Sequence, residues 1–401
     1  MASDDRNSKE FGGITMYRVG QEEIDAVARA IESKVYFKVN VGELQECHNA
    51  ELEMQEKFGT KHAIFMSSGH GALVSALIAL GIGPGDQVIV PAYTYMATAT
   101  AVVEAGAIPV IAEVDETLTL DANDVERKIT SATKAIMPVH IQGFPCNMDA
   151  IMKVAEKYNL KVIEDACQAD GGTFNGRRLG AIGHAGALSF NCYKVITCGE
   201  GGALLTNDDK VFERALIYHD SNAVAFFGDQ LSNVTTEPFC GTEFRVHEMS
   251  AAMLRVQLRR MDGILEDLRK NKNKIIDACK DVVGFVPSHD SMGDCGTTLA
   301  LRFDTAEEAK AFSEKLSFKT IIPINTGKHI YKHWTPIMEK RGAFHPLMDP
   351  FKMEANRDII PDYQLDMCPK TLDLLARTVY ISINPDWTDD EIENVIREIR
   401  K

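Results

Sequence analysis

The sequence lacks a C-x-x-C cysteine pair, an apolar N-terminal segment and any apolar run as long as a membrane span. Its nine cysteines are an odd number without paired spacing, so we expect reduced thiols and neither a disulfide framework nor a metal site. Reduced cysteines, with a polar start (MASDDRNSKEFGG) unlike a signal peptide, favour the cytoplasm. We expect no membrane association, and a flexible stretch over residues 1–15.

Basic residues are also scarce: 43 Lys and Arg stand against 58 Asp and Glu, which gives a net charge of −15. A chain of this charge repels phosphate backbones, so a nucleic-acid partner is not expected. An anionic ligand must therefore be held by a local site that acts against the overall charge. The length of 401 residues allows two to three domains and a large core.

Short apolar runs alternate with helical stretches between residues 61 and 206. The runs are AIFMS, QVIVPA, IPVIAEV, AIMPVH, KVIEDA, GALSF and GALLT. This alternation predicts an α/β fold in which a mostly parallel sheet carries helices on both faces. Such sheets place ligands at the carboxyl ends of their strands.

The pattern changes after about residue 250. The segment MSAAMLRVQLRRMDGILEDLRKNKNKIIDA predicts one long amphipathic helix, or two. Beyond it we expect a smaller α/β domain with strands near 298–303 and 380–383 and a closing helix from Asp389. The predicted division is a large domain over residues 16–250, followed by the long helix and a small C-terminal domain over residues 251–401.

Two segments at the ends of predicted strands have the composition of a binding site. The first, SSGHGAL, is a turn that leads directly into a helix, and a helix N-terminus binds phosphate. In the second, VIEDACQADGG, Asp165 ends an apolar strand and could face a basic ring nitrogen. Taken alone, the first segment is also typical of an ordinary turn, and Asp165 of a helix N-cap.

Lys194 lies in a third segment, ALSFNCYKVITCGEGG, between an apolar strand and a Gly-rich turn. A lone lysine is usually a solvated surface charge, but Phe190, Tyr193 and Ile196 make these surroundings apolar. Apolar surroundings favour the neutral amine that a Schiff base needs. A fourth segment, FCGTEFRVHEMS, is rich in charge and is also typical of a solvated helix start.

Together these segments supply the groups that bind pyridoxal phosphate (PLP): a phosphate site, an acid for the ring nitrogen and an amine for the aldehyde. The sequence contains neither a P-loop nor a G-x-G-x-x-G pattern after a strand, so no nucleotide fingerprint competes. We therefore predict a PLP enzyme whose cofactor is held as a Schiff base on Lys194.

At these residues the chain resembles the DegT/DnrJ/StrS sugar aminotransferases, which are PLP enzymes of fold type I. The resemblance runs from about Tyr17 to the C-terminus and is densest over residues 63–206, in segments such as VIEDACQA and SFNCYKVITCGEGG. It implies the fold-type-I transferase architecture, with a large PLP-binding domain and a smaller α/β domain.

The resemblance also implies roles for single residues. Lys194 matches the Schiff-base lysine, and Asp165 matches the acid paired with the pyridine nitrogen. The other matches are Gly69, His70 and Ser189 at the phosphate, Tyr95 stacked on the ring and Gln168 near the phenolic oxygen.

Two positions depart from the family's pattern. The family usually has Ser-Gly-Thr at residues 68–70, and Asn-Tyr-Arg at residues 243–245, where its Asn reaches the phosphate in the neighbouring subunit. This chain has His70 and Glu243 instead of the Thr and the Asn. Because a carboxylate beside a phosphate is unfavourable, our hypothesis is that a protonated His70 lies between the phosphate and Glu243. The alternative is that Glu243 points into solvent.

The resemblance implies transfer of an amino group from glutamate or glutamine to a keto sugar, usually nucleotide-linked, or to a keto cyclitol. Arg245 is a candidate for binding the donor's carboxylate, because its planar fork suits bidentate pairing. His329 lies in a segment that borders the acceptor site in relatives, although an ordinary surface histidine explains it equally.

The family is usually dimeric, so the resemblance also implies a homodimer with shared active sites. Two other functions stay open. One is a PLP-dependent sugar dehydratase, whose enzymes replace the lysine with histidine or add a cysteine-ligated iron–sulfur cluster. The other is a non-catalytic regulatory protein with the PLP fold, which only His70 and Glu243 favour.

Overall fold

A seven-stranded sheet forms the centre of the molecule in the computed structural model, which describes residues 17–38, 43–222 and 234–401. The stretch predicted to be flexible, residues 1–15, lies outside these ranges. The first five strands of this sheet, in chain order, are β1 His62–Met66, β2 Gln87–Pro91, β3 Ile108–Ala112, β4 Thr133–Ile136 and β5 Lys161–Asp165. A separate small hairpin follows, made of β6 Thr173–Phe174 and β7 Arg177–Arg178. The last two strands of the large sheet are β8 Ala185–Ser189 and β9 Gly202–Thr206.

The strand order across the sheet is β1-β9-β8-β5-β4-β2-β3. Six strands run in one direction, and β9 is antiparallel to both of its neighbours. Strands β2, β3, β8 and β9 are buried along their whole length because helices cover both faces, which is why their sequences are continuous apolar runs. The predicted mostly parallel α/β sheet is confirmed.

The helices around this sheet are mostly the connections between its strands. They are α1 Gln21–Glu32, α2 Glu46–Phe58, α3 Gly69–Ala79, α4 Ala97–Glu104, α5 Ala122–Lys128, α6 Met148–Tyr158 and α7 Asp209–Tyr218. Helix α3 follows β1 directly and is buried on nearly all sides, so its composition is almost wholly apolar. Ser68 caps its N-terminus by accepting a hydrogen bond from the Gly71 amide at 3.0 Å.

The segment predicted to form one long helix or two forms one, α8 Glu248–Cys279. Residue 250, the predicted boundary, lies in its first turn. A three-stranded antiparallel sheet and four helices follow: β10 Gly284–Phe285, β11 Thr298–Arg302, α9 Ala306–Lys315, α10 Thr335–Met338, α11 Pro369–Ala376, β12 Thr378–Ser382 and α12 Asp389–Ile399. Among the described residues, no helix combines the length and the apolar character needed to span a membrane.

The C-terminal part contacts the edge of the large sheet at which the parallel strands end. Thr297 Oγ1 donates to the carbonyl of Gln142 at 2.8 Å, and Thr298 Oγ1 donates to the side-chain oxygen of the same residue at 3.0 Å. At a second place, the backbone amide of Thr94 donates to the carbonyl of His329 at 2.9 Å. Residues from the C-terminal part are therefore held at the carboxyl ends of β2 and β4.

Gly202, the first residue of β9, provides a test of how closely β9 and α3 approach. A Cβ at Gly202 would lie 2.3 Å from the backbone carbon of Ser68, so Gly202→Ala should lower the stability by more than about 2 kcal/mol. Gly263 lies within α8 with no atom near the position of a Cβ, so Gly263→Ala should raise stability by about 0.5–1 kcal/mol. Urea unfolding of both variants checks this, and equal effects would contradict the packing described.

Candidate active site

A cavity of about 690 Å³ opens at the carboxyl ends of β1, β2, β5 and β8. It brings together most of the residues that the sequence singled out. Those that line it are Gly69, His70, Tyr95, Asp165, Gln168, Ser189, Lys194 and His329. Glu243 and Arg245 lie outside the lining of this cavity in their own chain.

One end of the cavity is formed by the N-terminus of α3. A Cβ at Gly69 would lie 2.8 Å from both Cys167 Sγ and Ser189 Cβ, so only glycine allows this close approach. Ser189, which ends β8, is buried beside the turn. A helix N-terminus with its dipole and a serine hydroxyl are groups that bind a phosphate, so these residues fit the predicted phosphate site.

Asp165 ends β5, and its carboxylate is held by two hydrogen bonds. Thr98 Oγ1 donates to Oδ2 at 2.7 Å, and the backbone amide of Cys167 donates to Oδ1 at 3.2 Å. The side chain is almost fully buried, so these bonds compensate for lost hydration and fix its direction. A carboxylate fixed in this way suits a partner such as a protonated ring nitrogen.

Glu164, the neighbour of Asp165 in β5, is fully buried on the opposite face of the strand. Its carboxylate accepts hydrogen bonds from three backbone amides within residues 180–183, at 2.6–2.9 Å. His140 completes the set through Nε2, at 3.1 Å. The Nδ1 atom of His140 accepts from the Cys146 amide at 3.1 Å, so the proton lies on Nε2 and donates to Glu164.

Lys194 lies half-buried in the turn after β8, where its backbone amide donates to the Asn191 carbonyl at 3.0 Å. Another wall of the cavity carries Tyr95, Lys328 and His329. The ring centroids of Tyr95 and His329 are 5.6 Å apart. Burial, together with the positive charges of Lys328 and Lys194, lowers the pKa of His329 to about 4. His329 is therefore neutral at pH 7.

Within the single chain His70 and Glu243 have other partners, and their pairing across a subunit interface stays a prediction. His70 Nε2 lies 2.7 Å from Glu104 Oε2, and this hydrogen bond lowers the pKa of Glu104. Glu243 is half-exposed, and its Oε2 lies 2.6 Å from Arg245 Nη2. The physical reason is that α4 packs against α3 and ends with Glu104 beside His70, so His70 already has a carboxylate partner.

Arg245, the candidate for the donor's carboxylate, is engaged outside the cavity. Besides Glu243, its guanidinium donates to the Asp220 carbonyl at 3.3 Å and lies 4.9 Å from the centroid of the Phe37 ring. These contacts hold a largely buried Arg245 side chain away from the lining of its own chain's cavity.

Several residues of the site were not predicted. Thr98 is the direct partner of Asp165 but lies 67 positions away from it, and no local pattern marks it. Lys328 lines the cavity next to His329, in a segment that had already drawn attention. Asp170 is fully buried, and burial raises its pKa well above the usual range of an aspartate.

Residues 18–400 match the family model described as the DegT/DnrJ/EryC1/StrS aminotransferase family. The chain belongs to this family. Family membership confirms the resemblance and the predicted fold type. PLP is the cofactor of this family, and the α3 N-terminus, Asp165 and Lys194 in this cavity suit its phosphate, ring nitrogen and aldehyde.

Two curated relatives and one solved structure illustrate the family. GDP-perosamine synthase of Caulobacter vibrioides is 44% identical over 51% of this chain, and the matched stretch covers only 54% of that protein. Spore coat polysaccharide biosynthesis protein SpsC of Bacillus subtilis is 31% identical over 95% of this chain and 94% of its own length. The X-ray structure of an aminotransferase from Psychrobacter cryohalolentis has a TM-score of 0.76 and 31% identity, and covers 95% of this chain and 96% of that one.

Thr98 tests whether the hydrogen bond to Asp165 stabilises the site. Thr98→Val removes the donor and leaves a buried carboxylate with one partner fewer, which should cost about 1–3 kcal/mol. Thr100→Val is the matched control, because the Thr100 hydroxyl lies in the same helix and donates only to backbone carbonyls. Thermal and urea unfolding compare the two, and equal losses would argue against a special role of Thr98.

His329 should make the stability of the protein depend on pH. An unfolded histidine titrates near pH 6.5, whereas folded His329 stays neutral to about pH 4. Its contribution is therefore complete above pH 6.5 and is lost as the pH falls towards 4, because the unfolded chain binds the proton first. His329→Gln should lose less stability than the wild type between pH 7 and 5, while exposed His333→Gln should follow the wild type. Parallel curves for all three proteins would contradict the assignment.

Proposed function

We propose that this protein is a PLP-dependent aminotransferase that transfers an amino group from glutamate or glutamine to a keto sugar. The observation that carries the proposal is the meeting of Lys194, Asp165 and the N-terminus of α3 around one cavity in a member of an aminotransferase family. The named relatives support a sugar as the acceptor, since GDP-perosamine is a nucleotide-linked amino sugar.

Each residue of the cavity has a defined task in this proposal. Lys194 would hold PLP through its amine, and the same amine would serve as the base that moves the proton of the donor's α-carbon. PLP supplies the electron sink for this proton transfer. Asp165, fixed by Thr98, holds the proton on the ring nitrogen. Ser189 and the backbone at Gly69 would bind the phosphate, Tyr95 would pack on the ring, and Gln168 would contact the phenolic oxygen.

The site favours a transaminase over the two alternatives. Position 194 is a lysine, whereas one class of sugar dehydratase has histidine there. Within residues 17–38, 43–222 and 234–401, no group of three His, Cys, Asp or Glu side chains could hold a metal ion or a cluster. A purely regulatory protein would not need Lys194 and a hydrogen-bonded Asp165 in one cavity.

We further propose a homodimer in which each chain completes the neighbour's cavity. Neither Glu243 nor Arg245 lines the cavity of its own chain, and in this proposal Arg245 serves as a donor-carboxylate ligand in the site of the second copy. Phe344, Leu347 and Met348 are exposed apolar side chains, and association would remove such a surface from water. The nine free cysteines favour the cytoplasm as the location.

The core of the proposal is tested at Lys194. The purified wild type should show the visible absorption of lysine-bound PLP, and glutamate should bleach it. Lys194→Ala should lose both signals because the covalent attachment is gone. Asp165→Asn should keep the cofactor but slow the reaction with glutamate by about 100-fold or more. Cofactor that borohydride still fixes to Lys194→Ala would refute the assignment.

Mixing two inactive variants tests the shared site. If Arg245 serves the neighbour's cavity, a heterodimer of Lys194→Ala and Arg245→Gln has one site with both lesions and one intact site. After exchange of subunits, roughly a quarter of the wild-type activity should return, since half of the dimers are mixed. Each variant mixed with itself is the control, and no recovery in a verified heterodimer would place Arg245 in its own chain's site or in none.

A further inference from the structure

The wall of the cavity formed by Tyr95, Lys328 and His329 carries a cation that the reaction described above does not use. Lys328 lines the cavity and is solvent-exposed, and its Nζ lies 5.4 Å from the centroid of the Tyr95 ring. Across the part of the chain that the structure describes, no carboxylate lies within 4.0 Å of this ammonium group. The charge is therefore available to a ligand in the cavity.

Hydrogen bonds fix the backbone of Lys328, whereas its ammonium group has no carboxylate partner among the described residues. Its carbonyl accepts hydrogen bonds from the Met96 amide and from Trp334 Nε1, both at 3.1 Å. The adjacent carbonyl of His329 accepts from the Thr94 amide. The face of Tyr95 attracts the ammonium group and keeps it at the cavity. The lysine is thus presented at a defined point of the wall.

The other positive groups near the cavity are already committed. Lys194 binds the cofactor, and in the proposed dimer Arg245 of the partner subunit is assigned to the carboxylate at the donor's reacting carbon. His329 is neutral at pH 7 because its pKa is lowered to about 4. With a net charge of −15 on the chain, an anionic substrate needs a local cation, and Lys328 is suitably placed.

We propose that Lys328 is a substrate-binding residue that pairs with an oxyanion of the substrate. The proposal rests on the proposed function, because in a transaminase the donor and the acceptor must each bring the reacting carbon to the same place near Lys194. The same wall therefore faces both substrates. The oxyanion comes from a phosphate of the acceptor or from the side-chain carboxylate of glutamate. An uncharged cyclitol has no such group, so Lys328 favours a phosphorylated or nucleotide-linked acceptor.

Three variants of the PLP-loaded enzyme separate charge from structure. Lys328→Met removes the charge and leaves the carbonyl contacts intact, Lys328→Arg keeps the charge, and Lys332→Met is a matched control outside the cavity lining. Isothermal titration with dTDP and with GDP reports on a phosphate, and the rate of bleaching at rising glutamate concentrations reports on the donor's carboxylate. Unfolding curves show whether each variant is intact.

The loss of the ion pair should weaken binding about tenfold in Lys328→Met, whereas Lys328→Arg should stay within about threefold of the wild type and Lys332→Met should be unchanged. Added salt should weaken the wild type more than Lys328→Met. A change confined to dTDP or GDP identifies the phosphate as the oxyanion, and a change confined to the glutamate affinity identifies the carboxylate. If neither differs between Lys328→Met and Lys332→Met, the proposal is overturned.

Failure of the proposed function would look different from failure of this inference. If the wild type held no lysine-bound PLP, the transaminase proposal would fail, while the dTDP and GDP titrations would still report on Lys328. Conversely, normal cofactor absorption and bleaching in every variant, with unchanged affinities, would remove the role of Lys328 and leave the transaminase intact.

Discussion

The active-site edge of the sheet depends on one buried carboxylate, that of Glu164. A buried carboxylate is stable only when hydrogen-bond donors replace the water that it has lost. Three backbone amides and His140 are these donors here. These donors belong to the loop before β8 and to the segment after β4, the two neighbours of β5. Glu164, the residue next to Asp165, thus ties β5 to the segments that adjoin both neighbouring strands. The same hydrogen bonds help to position Asp165, Ser189 and the turn that carries Lys194.

Local sequence was sufficient for the sheet and for the residues at its strand ends. Strands buried on both faces are continuous apolar runs, and these runs delimit the strands within two residues except at β4, which ends four residues before its run does. Asp165 and Ser189 end two of these strands and Lys194 lies in the turn after the second, so a chain pattern alone brings them to one edge. Gly69 is recognisable because the turn before α3 needs a residue without a side chain.

Partners distant in the chain were not predictable, because their meeting depends on how helices pack. Thr98 reaches Asp165 only after α4 lies across the end of β5. For His70 the sequence suggested only Glu243, because spacing along the chain could not show that Glu104, at the end of α4, lies 2.7 Å from its Nε2. Lys328 is held at the cavity by backbone contacts that any residue could make, so the one signal for it in the sequence was its neighbour His329.

The pairing of β1 with β9 has a consequence for synthesis of the chain. Residues 62–66 form an edge strand whose described sheet partner is residues 202–206. At about 5–20 residues per second, the ribosome delivers the partner on the order of ten seconds after β1. Until then the turn that follows β1 lacks the backbone of Gly202 against which it closes. A nascent chain therefore cannot bind its cofactor before β9 has been made. The phosphate site forms only after most of the large domain has been synthesised.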